Sequence, residues 1–95
     1  MKQIYFVATM DIKVLYYVDN DDNTKGSLIA FPSDKDLRNE ETIKKIGEVL
    51  HAHGFGEKMG ICNSVAWELA HHGKAELTCM MGEYSLSFEE IEFLP

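Results

Sequence analysis

The sequence predicts an α+β domain: a mainly antiparallel sheet with a pair of helices packed on one face. Three observations lead there. Strand-period segments stand near both ends of the chain, two segments of helical period lie between them, and the last strand segments alternate as a hairpin about a glycine. With 95 residues the chain is one domain, residues 1–95, able to bury about two-thirds of its unfolded surface. A hydrophobic share of 45% is too high for a disordered chain.

The elements follow in order. Ile4 to Ala8 is an apolar run of strand length. Ile12 to Val18 alternates, with Ile12, Val14, Tyr16 and Val18 on one face and Lys13, Leu15 and Tyr17 on the other. Thr9-Met10-Asp11 between the two runs is a tight turn or a bulge, so the runs form either a hairpin or one long bent strand. Asp19 to Gly26 is a polar loop rich in turn formers. Ser27 to Phe31 is the next strand, stopped by Pro32.

The first helix is placed from Asn39 to His53. Asn39 caps it, Glu40 and Glu41 favour the positive end of the dipole, and Ile43, Ile46, Val49 and Leu50 fall on one arc. Gly54 supplies the left-handed terminator, and Phe55 folds back on the last turn. The second helix runs from about Gly60, or from an Asn63 cap, to His72, and Gly73 closes it. Its apolar arc is Ile61, Cys62, Val65, Ala66 and Leu69.

The C-terminal hairpin alternates Ala75-Leu77-Cys79-Met81 against Tyr84-Leu86-Phe88. A two-residue Gly82-Glu83 turn of type II′ sets Met81 opposite Tyr84, Cys79 opposite Leu86 and Leu77 opposite Phe88. After Phe88 the chain either caps one helical turn or continues as strand through Ile91 and Phe93.

Charge carries the functional signal. The chain stands at −7, and Ala75 to Pro95 holds five glutamates with neither lysine nor arginine. Such a surface repels phosphate backbones and anionic membranes and attracts a basic partner. Direct binding of nucleic acid or membrane is therefore not expected. No apolar run approaches the ~18 residues of a membrane span, and Ile4 to Ala8 is too short for a signal peptide. Two cysteines, Cys62 and Cys79, suit free thiols in the cytoplasm.

Each chemical motif has a plainer reading beside it. Cys62, near the start of the second helix, has the placement of an activated thiol, but it also falls on the apolar arc. His51, His53, His71 and His72 lack the i, i+4 spacing of a helical zinc site and suit the negative ends of their helices. Gly54 to Gly60 is glycine-rich and holds Lys58, yet it follows a helix and lacks the P-loop and dinucleotide spacings. Asp19 to Asn23 alternates oxygen ligands like a calcium loop, but Thr24 and Ala30 stand where glycine and glutamate are required. No metal and no cofactor is expected. Trp67 projects about 170° from its helix's apolar arc, so it either packs under another segment or waits for a partner.

The expected function is a small acidic, non-catalytic inhibitor that docks on a basic protein such as a nuclease or nucleic-acid-binding complex. Immunity proteins, antitoxins and phage-encoded inhibitors, anti-CRISPR proteins among them, share this physics. The expected contact residues are Asp19, Asp21, Asp22, Trp67, Glu76, Glu83, Glu89, Glu90 and Glu92. The alternatives are a small enzyme or ligand binder using Cys62 and the helix-terminal histidines, and a structural subunit of a larger assembly. Neither the oligomeric state nor the identity of the partner follows from the sequence.

Overall fold

The computed structural model describes residues 10–93, and the apolar run Ile4 to Ala8 lies outside them. The described chain forms β1 (Met10–Asp19), β2 (Lys25–Pro32), α1 (Glu40–Ala52), α2 (Met59–His72), β3 (Lys74–Cys79) and β4 (Gly82–Phe93). The four strands make one antiparallel sheet in the order β2-β1-β4-β3. The α+β architecture is the one the pattern of periods requires. Met10 and Asp11 belong to β1, paired with Phe93 and Glu92, so neither forms a turn.

Strand β1 divides its residues between two environments. Leu15 is fully buried and Tyr17 packs against the core, together with Ile46 and Leu50 of α1 and Ala66 and Leu69 of α2. The cleaner alternating set, Ile12-Val14-Tyr16-Val18, therefore lies on the face away from the helices. It shares that face with Lys25, Ser85, Ser87 and Glu89, so polar residues surround an apolar central stripe. Strand β2 carries a bulge at Leu28, where Leu15 pairs with Ile29 but Tyr16 pairs with Ser27.

Both helix ends are built by local chemistry. Asn39 caps α1, its side-chain oxygen accepting from the Thr42 N–H at 2.8 Å. At the other end the Phe55 N–H donates to the Leu50 carbonyl and the Gly54 N–H to the His51 carbonyl, with Gly54 at φ 80°. This is the paired closure of a Schellman motif, and it turns Phe55 into the core. Helix α2 begins at Met59, not at an Asn63 cap, and its N-cap Lys58 makes no side-chain cap bond. Cys62, Ala66 and Leu69 are its buried residues, whereas Ile61 turns half outward, against the arc expected for it. The helices pack closely at Gly47, where an added Cβ would meet the Asn63 side chain.

The hairpin differs from the expected register. Cys79 pairs with Gly82, Leu77 with Tyr84 and Ala75 with Leu86, so Met80 and Met81 form the two-residue turn. Gly82 follows the turn at φ 131° rather than opening it. The glycine is used where the chain leaves the turn and enters β4, a place the left-handed region also serves. The register slides by an even number of residues. Leu77, Cys79, Tyr84 and Leu86 consequently keep their common face. Strand β4 runs on past Phe88 to Phe93, because β1 offers it a full-length partner.

Candidate partner-binding surface

The Asp19 to Thr24 segment closes on itself. The Asn23 N–H donates to the Asp19 carbonyl at 2.7 Å, and the Asp19 N–H to the Thr24 carbonyl at 2.8 Å. Asp19 Oδ1 accepts from the Asp21 N–H, and Asp22 Oδ1 accepts from both the N–H and the hydroxyl of Thr24. The Thr24 bonds hold the Asp22 carboxyl below the usual aspartate range. Asn23 takes the left-handed φ of 61° that asparagine tolerates. Two carboxylates are thus partly committed to shaping their own loop.

This loop is joined to the β3–β4 turn. The Asn20 N–H donates to the Glu83 carbonyl at 2.9 Å, and the Ser85 hydroxyl donates to Asn20 Oδ1 at 3.1 Å. Gly82 lies so near Asp21 that an added Cβ would come within 3.0 Å of its carboxylate. Asp19, Asp21, Asp22 and Glu83 therefore gather at one end of the sheet. Glu76 borders them, with its carboxylate 3.5 Å from the Ser85 hydroxyl. Beneath this end Tyr17, Phe55 and Tyr84 pack ring to ring, with Phe55 and Tyr84 edge to face at 4.9 Å. Burial pushes the Tyr84 hydroxyl above its ordinary pKa.

Two side chains at this end were not expected. Met80 is 88% exposed and Met81 52% exposed, in the turn beside Glu83. The shifted register explains why they were missed, since a Met80-Met81 pair reads as the end of a strand until Gly82 is placed after the turn. Met81 also reaches toward Gly54, which brings the α1–α2 loop to the same end.

The remaining expected residues lie elsewhere. Glu89 is paired with Lys25 at 2.6 Å on the open face, and Lys25 also sits over the Tyr16 ring. Glu90 and Glu92 stand opposite Lys13 and Asp11, and Glu90 lies about 23 Å along β4 from Glu83 at the usual strand rise. Trp67, on the outer side of α2, is half exposed and stacks on His71 with ring centres 4.0 Å apart. Among the described residues β4 continues in the sheet to Phe93, and Trp67 is left half exposed. Trp67 borders a cleft of about 430 Å³ shared with Ile43 and Met59.

Of the residues of the enzymatic alternative, Cys62 is packed in the core, and His51, His53, His71 and His72 are exposed at the ends of their helices. Cys62 is 1% exposed, with its Sγ 3.7 Å from the Gly56 carbonyl, and burial pushes its thiol pKa up. Gly56 is itself buried, and it packs so close that a Cβ there would fall 2.7 Å from that sulfur. His51 Nδ1 lies 3.2 Å from the same carbonyl, so the loop's polar groups close the end of α1 over Cys62. His71 Nδ1 meets the Trp67 carbonyl, and His72 lies 3.7 Å from Glu68. Among the described residues no three His, Cys, Asp or Glu side chains gather as a metal site would require. No helix among them is long and apolar enough to cross a membrane. Compared with known protein families, curated proteins and solved structures, the chain matches none.

Proposed function

We propose that this chain is a non-catalytic inhibitor of the immunity-protein, antitoxin or phage-encoded kind, docking by its acidic loop end on a basic, nucleic-acid-binding protein. One observation carries the reading. Asp21, Asp22 and Glu83 share one end of the sheet with two exposed methionines, Met80 and Met81, on a frame held by the Asn20–Glu83 and Ser85–Asn20 bonds. Carboxylates act at long range and speed encounter with lysines and arginines. Methionine is polarizable and adaptable, so it supplies short-range contact once the surfaces meet. Glu89 contributes less, because Lys25 already neutralises it. Trp67 belongs to a separate patch on the helix layer, so Met80 and Met81 take the anchoring part.

The protein is cytoplasmic on this reading, and its two free thiols support that. Affinity purification from the native cell at low salt should recover the basic partner. Its association rate should fall steeply as salt rises. Asp21→Lys with Glu83→Lys should slow association about tenfold or more at low salt, whereas Glu90→Lys should change it little. Binding indifferent to both salt and the double reversal would remove the electrostatic basis of the proposal.

A further inference from the structure

The sheet has two edges, and they are unlike. Strand β2 is blunted by its bulge at Leu28 and ends at Pro32. Strand β3 has neither device and pairs with β4 in an unbroken register. The hydrogen-bonding phase of that ladder is set by the Phe88 N–H, which donates to the Gly73 carbonyl. Counting in steps of two, Ala75, Leu77 and Cys79 turn their backbone groups toward β4. The N–H and C=O of Glu76 and Thr78 therefore point outward. Among the described residues, no loop or helix backbone bonds to them.

A cleft of about 380 Å³ runs beside this edge, with Phe55, Ile61, Leu77 and Cys79 in its walls and Met80 at its end. The half-exposed Ile61 is explained by it, since Ile61 forms the wall facing β3. Glu57 stands at the lip and Glu76 on the open face, while Lys58 and Lys74 are the cations nearby. An antiparallel strand laid along the edge would alternate its side chains between two settings. Those on the covered side enter the apolar cleft. Those on the open side stand beside Glu76, with Glu83 across from Thr78 on the same face and Lys74 at the far end.

We propose that the outer edge of β3 accepts one extended segment of the basic partner as a fifth, antiparallel strand, its apolar side chains in the cleft and its lysines or arginines over Glu76. This is recognition by strand addition, in which main-chain bonds supply affinity and alternate pockets supply specificity. The assignment rests on the acidic-docking reading above and names what part of the partner is held.

The probe is a synthetic peptide of about eight residues alternating valine and lysine, the length of an ordinary strand. With peptide at about ten times its Kd, the Glu76 and Thr78 amides should exchange about tenfold more slowly. In the proposed register the lysines carry the backbone groups that face β3. N-methylation of the lysines should therefore abolish the slowing, and N-methylation of the valines should leave it. Thr78→Pro removes an outward N–H without touching the β3–β4 ladder, and it should lose the peptide while keeping its fold. If no peptide binds, or if its shifts stay in the Asp19–Asn23 loop without slowing those amides, the edge assignment is overturned and the electrostatic reading stands. If a valine–glutamate peptide slows them equally, the basic character of the occupant is overturned instead.

Discussion

The N–H of Asn20 donates to the carbonyl oxygen of Glu83 at 2.9 Å, one step beyond the Asp19–Tyr84 pair of β1 and β4. The bond extends the central ladder into the loop. It holds an acidic turn from the first half of the chain against an acidic turn from the second. Neither turn has a core of its own, and the sheet supplies the rigidity for both.

Gly82 is the most constrained position at this junction. Its φ of 131° is strained for any side chain, and a Cβ would press on the Asp21 carboxylate. Gly82→Ala should cost about 1–3 kcal/mol. Gly54→Ala, at an ordinary left-handed φ with only the flexible Met81 methyl near it, should cost about 1–2 kcal/mol. Urea melts of the two variants decide the order, and an unchanged midpoint for Gly82→Ala would show that the turn is built otherwise.

The two faces of β1 should respond unequally to truncation. Leu15 is fully buried beneath the helices, so Leu15→Ala should cost about 2–5 kcal/mol. Val18 is half-buried on the open face, and Val18→Ala should cost about 1 kcal/mol or less. Equal losses in chemical denaturation would mean that the open face is covered as fully as the helix face.

The thiols provide a direct probe of the core. Cys79 is partly exposed, whereas Cys62 is buried and its thiolate is disfavoured by desolvation. A thiol-reactive dye should label Cys79 in the native protein and reach Cys62 only when the fold opens. Native labelling of Cys62 at the faster rate would revive the reactive-cysteine alternative.

Acid should act in part through Asp36. Side-chain and backbone bonds from Arg38 hold its carboxyl at about 2, below its ordinary 3.8. A carboxyl lowered by folding stabilises the native state above its unfolded pKa, and that contribution is lost as pH falls toward 2. Asp36→Asn should therefore flatten the fall in Tm between about pH 4 and pH 2. Both partners are exposed, so added salt should shrink the difference. Parallel Tm profiles with and without the carboxylate would rule the bond out as a contributor.

Much of the architecture could be read locally. Asn39, Gly54 and Gly73 mark helix ends because capping and left-handed closure involve only a few consecutive residues. The common face of Leu77, Cys79, Tyr84 and Leu86 was legible for a similar reason, since alternation alone sets a face. The acidic candidates could be found by counting charge, but charge carries no address. Counting could not separate Asp21 and Glu83 from Glu90, nor see that Lys25 occupies Glu89.

What the amino-acid order determined unaided is therefore the run of elements, their ends and their polarity, because each depends on neighbours a few residues away. The hairpin register, the covered side of β1, the outward turn of Ile61 and the meeting of two acidic turns were decided only by the fold. Each depends on which distant segment arrives alongside, and β4 arriving between β1 and β3 settles them together. A strand's own residues hold no record of the partner that will complete its hydrogen bonds.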